Sequence, residues 1–118
     1  MFINKKINWF LALTLLLAST AAMAVPQYCV SKIKYATVRS GGLVVVQSLL
    51  RNEGFRVCNL EQTVDGISPV VCAAWFTLLR SAVTNQENIA LWYANAPSCE
   101  TMPVGDVSIY PGIVQLVD

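Results

Sequence analysis

The stretch "PVVCAAWFTLLRSAVTNQENIALWYA", residues 69–94, decides the fold because the spacing of its apolar residues changes along it. Ser68 can accept a hydrogen bond from an unpaired helix amide, and Pro69 suits the first helical position. Apolar residues then recur at helical spacing until about Asn85. From residue 87 onwards they alternate with the period of two that is typical of a strand. The stretch therefore predicts a helix that is followed directly by a strand.

The predicted helix has one apolar face, which we expect to pack against a sheet. That face consists of Cys72, Trp75, Phe76, Leu79 and Val83. The opposite, polar face consists of Thr77, Arg80, Ser81 and Thr84. Because helical spacing alone accounts for the aromatic pair Trp75 and Phe76, we interpret both residues as core.

Strand patterns flank the helix on both sides. Residues 30–39, 43–50 and 55–61 read as three strands that are joined by the turns "SGG" and "RNEG", as in a meander of hairpins. After the helix, residues 87–94 form a fourth strand. Residues 106–118 form a last strand, with a turn or bulge at Pro111-Gly112.

This order of elements predicts a β-rich α+β fold with five antiparallel strands and one helix between strands 3 and 4. It is the plan of an OB-fold, a small Greek-key barrel. An open antiparallel sheet with one helix across a face would bury the same apolar stripe. We favour the OB-like barrel and keep the open sheet as the alternative.

The first 24 residues differ in kind from the rest and predict a signal peptide. Lys5 and Lys6 precede a short apolar core, and Ala22 and Ala24 frame an A-x-A cleavage site. A retained membrane helix over 7–25 is the competing interpretation, since that run is just long enough to span. We expect cleavage after Ala24, with one domain over 25–118 and no membrane span afterwards. The predicted location is periplasmic or secreted.

Charge argues against a nucleic-acid partner. Of the eight Lys and Arg residues, Lys5 and Lys6 leave with the leader, so six basic residues face seven acidic ones and the formal net charge is −1. Binding to nucleic acid depends on basic residues that displace counterions from the phosphates.

All four cysteines lie beyond the leader, and an even count in a short exported chain predicts two disulfides. They are Cys29, Cys58, Cys72 and Cys99. A metal site is disfavoured, because the chain has no histidine and no C-x-x-C spacing. Four cysteines allow three pairings. We favour Cys29 with Cys72, and Cys58 with Cys99, so that the helix and the third strand are both tied down.

No enzyme signature is present. Nucleophilic triads and Cys-His dyads need an imidazole, and the chain contains no histidine. The acidic residues lie at turns and element ends, as solubilising residues do, and the "SGG" turn lacks the spacing and the lysine of a phosphate loop. We therefore expect a protein that is not an enzyme and that uses no cofactor or metal.

Four residues are candidates for ligand binding. Trp92 lies across the predicted strand from Tyr93, so one of these two faces is expected to be partly exposed. An exposed aromatic ring on an OB-like barrel can stack on a sugar or a base, although core packing also explains an aromatic residue here. Arg51 and Arg56 flank the second hairpin, either as a solvated charged turn or as a site for an anion.

The central 40 residues resemble the small B subunits of the pertussis-like and subtilase-type bacterial toxins. The residues that carry the resemblance are Cys72, Trp75, Phe76, Leu79 and Ala82 on the helix, Asn85-Gln86 and the strand 89–93. It implies an OB-fold, a ring of five identical subunits and binding of cell-surface glycans. This chain is shorter than those subunits and spaces its cysteines differently. The sugar-binding serine and tyrosine positions of the family are not matched here, so no binding residue is carried over.

Two functions are therefore carried forward. The first is an exported binding module, glycan-binding and homo-oligomeric if the resemblance holds. The second is a structural or inhibitory partner of a cell-envelope or secreted protein. It would act through an uncovered strand edge such as "LVVVQSLL" or through the loop "NAPSCETMPVG", residues 95–105.

Overall fold

The computed structural model describes residues 25–117, so the predicted signal peptide and its cleavage site lie outside the described residues. The elements are β1 (Val25–Val38), β2 (Leu43–Ser48), β3 (Phe55–Asn59), α1 (Pro69–Asn85), β4 (Asn88–Ala96), a short 3-10 turn (Gly105–Val107) and β5 (Ile113–Val117). The predicted order of three strands, a helix and two strands is confirmed.

The five strands form one antiparallel sheet in the order β3-β2-β1-β4-β5. Strand β1 has two partners, since residues 25–32 pair with β4 and residues 33–38 pair with β2. The β1–β2 ladder shifts register between Ile33 and Tyr35, directly after β1 changes its partner from β4 to β2. The first three strands are thus the predicted meander, and β1 joins two halves of one sheet.

The sheet is open, because no ladder joins β3 to β5 within residues 25–117. A chain segment covers the outer edge of β3 instead. The Gly105 amide donates to the Gly54 carbonyl at 2.8 Å, and the Arg56 amide donates to the Ser108 hydroxyl at 2.9 Å. These bonds satisfy edge groups that would otherwise be free to recruit another strand.

Helix α1 has the predicted bounds and the predicted N-cap. The Ser68 hydroxyl accepts from the Val71 amide at 3.3 Å, and Pro69 begins the helix. At the other end, Gln86 takes a left-handed conformation with a φ of 53°. The fully buried helical residues are Cys72, Leu79 and Ala82. The predicted core residues Trp75 and Phe76 are partly buried and pack against the same core.

Apolar residues of both halves of the sheet meet on the inner face and form one core with the helix. It includes Ile33, Val44, Val46, Val57, Leu79, Ile89, Leu91 and Val114. In β4, Ile89 and Leu91 are buried there together with Tyr93, as the period of two predicts.

The turn between β1 and β2 needs glycine at residue 42. Gly42 has a φ of +88°, and a Cβ at this position would lie 2.7 Å from the Asn59 side-chain oxygen. That oxygen accepts from the amides of Glu61 and Gln62 at the end of β3. A side chain at residue 42 would therefore disturb two turns at once.

Two disulfides form, but the favoured pairing was wrong. Cys29 bonds to Cys99, and Cys58 bonds to Cys72. The reason is topological. Residues 25–32 of β1 pair with β4, so the chain that leaves β4 returns past Cys29. Cys72, in the first turn of α1, lies over Cys58 in β3, at a Cα–Cα distance of 5.5 Å.

The starts of two strands differ most from the prediction. Strand β1 begins at Val25 instead of residue 30, because its first residues pair with the end of β4. Strand β5 covers Ile113–Val117 alone, since residues 105–107 form the 3-10 turn that contributes to the cover of β3. Among residues 25–117, no helix combines the length and apolar character that a membrane span requires.

Candidate functional site

The outer face of the sheet carries a row of three large apolar side chains, which we call the outer row: Tyr28, Trp92 and Ile113. Tyr28 lies directly opposite Trp92 across the β1–β4 ladder, and Trp92 lies opposite Ile113 across the β4–β5 ladder. Directly opposite residues project on the same face, with Cβ atoms about 4.5–5.5 Å apart. Tyr28 is 53% exposed, Ile113 is 39% exposed and Trp92 is partly exposed.

The Trp92 ring is held in place by Gly112. The Gly112 amide donates to the Trp92 carbonyl at 2.7 Å. A Cβ on residue 112 would lie 2.9 Å from a carbon of the indole ring, which is closer than real Cβ contacts allow. Glycine at this position therefore lets the indole lie flat against the chain that enters β5.

A concavity of about 380 Å³, lined by both polar and apolar residues, adjoins the outer row, since Gly112 borders both. Its lining includes Asp65, Asn95 and Tyr110, which supply a carboxylate, an amide and a phenol. Asp65 has a φ of 49° and lies in the tight turn that the Val64–Ile67 bridge closes. The three side chains thus present both donors and acceptors beside an exposed aromatic surface.

Arg56 holds the chain that carries Tyr110. Its guanidinium donates to the Ser108 carbonyl at 2.7 Å and to the Ser108 hydroxyl at 3.3 Å, and it lies 4.8 Å from the centre of the Tyr110 ring. Ser108 is buried, at 2% exposed. Arg56 is therefore a structural clamp beside the concavity, and it is not the solvated turn residue that the sequence offered as one alternative.

Arg51 is a second clamp, and it holds the loop that follows β4. It donates to the carbonyls of Glu100 at 2.7 Å and Met102 at 3.3 Å, and it lies 5.8 Å from the centre of the Phe55 ring. These bonds use much of the hydrogen-bonding capacity of the guanidinium. Arg51 is therefore placed to hold the loop and not to bind an anion from solvent.

Tyr93 lies on the inner face and is 2% exposed. Burial raises the pKa of its hydroxyl above the ordinary value, so the group stays protonated near neutral pH. Of the four predicted binding residues, the structure places Trp92 alone in the outer row. Tyr93 and Arg51 line one cavity on the inner face, whereas Arg56 packs on the Tyr110 ring, so the four do not form one site.

Sequence reasoning missed Tyr28, the most exposed member of the outer row. The predicted first strand began at residue 30, so Tyr28 was not on any strand. The available signal was the alternation of Tyr28, Val30 and Lys32, which share the outer face through their pairing with β4. Extending the predicted strand to Val25 would have included Tyr28 in it. The sequence would still not have identified Trp92 as the residue opposite Tyr28.

The geometry suits non-covalent recognition of a ligand. An aromatic surface next to a carboxylate and an amide can stack against an apolar face and hydrogen-bond to hydroxyls at its edge. Within residues 25–117, no group of three or more acidic or cysteine side chains is placed to hold a metal ion. Comparison of the chain with family models, curated proteins and solved structures found no match.

Proposed function

We propose that this protein is a non-enzymatic binding module, exported to the periplasm or the cell exterior, that binds glycans through the outer row. The observation that carries the proposal is the pair of aromatic residues Tyr28 and Trp92, directly opposite each other on the exposed face of the sheet. A sugar ring presents C–H groups on its faces and hydroxyls at its rim. It can therefore stack on aromatic rings while its hydroxyls reach polar groups nearby.

The neighbouring concavity supplies those polar groups. Asp65 and Asn95 line it, and Gly112 lies between it and the Trp92 ring. A carboxylate and a primary amide together accept and donate hydrogen bonds, which is what a pair of sugar hydroxyls requires. The ligand we propose is an uncharged saccharide that stacks on the outer row and reaches the concavity with one edge.

The connectivity supports an OB-like assignment. The meander β1-β2-β3, the pairing of β1 with β4 and the helix between β3 and β4 follow the OB plan. OB-folds bind oligonucleotides and oligosaccharides. Residues 105–108 cover the edge of β3, next to which a closed barrel would place its last strand.

Two disulfides in a chain of this size are typical of proteins that mature in an oxidising compartment. This supports the predicted export. The resemblance to toxin B subunits further implies a ring of identical subunits, in which several weak sites would act together. Native mass spectrometry of the exported protein reads the subunit number directly.

The partner-binding alternative has less support. It relied on "LVVVQSLL" as an uncovered edge, whereas β2 lies between β3 and β1 inside the sheet. The loop over 95–105 is held down as well, since Cys99 bonds to Cys29 and Met102 is buried.

A glycan array tests the proposal with the exported, oxidised protein and two tyrosine variants. We expect binding to a defined set of glycans and a loss of roughly 5- to 100-fold in affinity for Tyr28→Ala, since stacking contacts contribute about 1–3 kcal/mol. Tyr35→Ala is the matched control, because Tyr35 is also on β1 and 37% exposed but does not belong to the outer row. Absence of glycan binding, or equal losses in the two variants, would refute the proposal.

A further inference from the structure

A second concave site lies on the inner face, where the two halves of the sheet separate. Strand β1 leaves its β4 partner after Lys32 and joins β2 from Ile33 onwards. A cavity of about 300 Å³ occupies the fork. Strand β1 contributes Ser31 to the lining, and β4 contributes Leu91 and Tyr93. Strands β2 and β3 contribute Val46 and Phe55.

The third side of the cavity is closed by the loop that follows β4. Within this loop, Cys99 is bonded to Cys29 and the Met102 side chain is buried, with 2% of the residue exposed. Arg51 donates to three carbonyls of this loop. No residue of α1 lines the cavity. The helix therefore covers one part of the inner face. The loop after β4, which the disulfide and Arg51 hold in place, covers the cavity in the remaining part.

The lining is apolar apart from a few groups. Ser31 and Ser48 face the cavity, and the Ser48 hydroxyl donates to the Ser31 hydroxyl at 2.9 Å. Removing apolar surface from water is favourable, so a hydrocarbon group gains free energy by covering apolar walls. The walls made by Ile33, Val46, Phe55, Leu91 and Met102 therefore favour hydrocarbon over water.

The size of the cavity sets the size of the occupant. An engineered cavity of about 150 Å³ binds benzene, with its six carbon atoms. A cavity of about 300 Å³ accordingly holds a group of about ten to twelve carbon atoms. Arg51 and Glu100 stand at the mouth with opposite charges, which favours an uncharged polar end on the ligand.

We propose that this inner cavity binds the apolar chain of a small uncharged amphiphile, such as a medium-chain alcohol, with its hydroxyl at the mouth between Arg51 and Glu100. The site is separate from the outer row, because consecutive residues of β4 face opposite ways. Tyr93 lines the cavity, whereas Trp92 belongs to the outer row. A ligand at one site therefore leaves the other accessible.

Isothermal titration calorimetry with 1-decanol tests the proposal on the exported, oxidised protein. We expect saturable binding with one site per chain, and at least tenfold weaker binding of 1-butanol, whose chain fills less of the cavity. Val46→Phe places a larger side chain in the cavity and should abolish decanol binding. Because the new ring fills existing space, we expect the variant to fold with an unchanged or higher Tm.

A pair of surface variants keeps the test independent of core packing. Leu50 is 77% exposed and lines the mouth, whereas its neighbour Leu49 is 56% exposed and lies outside the lining. Leu50→Asp should weaken decanol binding at least fivefold, and Leu49→Asp should leave it unchanged. The proposal is overturned by absence of saturable binding, by equal effects of the two substitutions, or by loss of decanol binding in Trp92→Ala with Val46→Phe unaffected.

Discussion

Removal of the Cys29–Cys99 disulfide should lower the free energy of unfolding strongly, although both cysteines are partly exposed. The bond joins residues 70 positions apart. In the chain-entropy relation, a closed loop of that length is worth about 4 kcal/mol, because the cross-link restricts the unfolded chain. Domains of this size have net stabilities on the order of 5–10 kcal/mol. The double variant Cys29→Ser/Cys99→Ser should therefore lose a large share of its free energy of unfolding.

The second disulfide provides an internal comparison. Cys58 and Cys72 are 14 positions apart, for which the same relation gives about 3 kcal/mol. Both residues are 0% exposed, whereas Cys29 and Cys99 are partly exposed. A mild reductant should therefore open Cys29–Cys99 first, while Cys58–Cys72 should react only when the domain unfolds.

Urea unfolding followed by circular dichroism measures the first effect, and alkylation with mass analysis across a reductant series measures the second. A loss of about 4 kcal/mol lowers the urea midpoint by roughly 2–4 M for slopes of about 1–2 kcal/mol per M. A midpoint equal to that of the unmodified protein would refute the loop-closure reasoning. Opening of Cys58–Cys72 before Cys29–Cys99 would refute the argument from burial.

Four further predictions follow from single contacts. Leu79→Ala should cost about 3 kcal/mol in urea unfolding, because Leu79 is 0% exposed in the core. Arg51→Ala should cost about 2 kcal/mol and expose the loop after β4 to protease, since charged hydrogen bonds to its carbonyls are lost. Gly112→Ala should cost about 1–3 kcal/mol and weaken glycan binding, because the new Cβ displaces the Trp92 ring. Because burial raises the pKa of Tyr93 in the folded protein, the unfolded chain loses this proton at a lower pH than the folded one does. The free energy of unfolding should therefore fall as pH rises above about 10, by at most about 1.4 kcal/mol per pH unit. Tyr93→Phe should remove that part of the pH dependence, and an unchanged alkaline slope in this variant would contradict the assignment.

The parts of the fold that sequence predicted are those governed by neighbours along the chain. Ser68 and Pro69 specify the start of α1 by local capping, and the helical spacing places Cys72 and Leu79 on the buried face. The meander β1-β2-β3 follows for the same reason, because short turns join adjacent strands.

The parts that sequence did not predict depend on how distant segments meet. The disulfide pairing required knowing that β1 lies beside β4, which brings Cys29 near the loop after β4. The outer row draws one residue from each of three strands, so it follows from register and not from any motif. The clamping roles of Arg51 and Arg56 likewise depend on backbone carbonyls about 50 residues away.

The outer row is the proposed ligand-binding face. Amide chemical-shift mapping tests this proposal most directly, with the exported protein titrated by the glycan that gives the strongest array signal. We expect the largest shifts at Tyr28, Trp92 and Gly112 and at the Trp92 indole N–H, with smaller shifts at Asp65 and Asn95. Shifts confined to α1 or to the inner cavity, with the outer row unmoved, would contradict it.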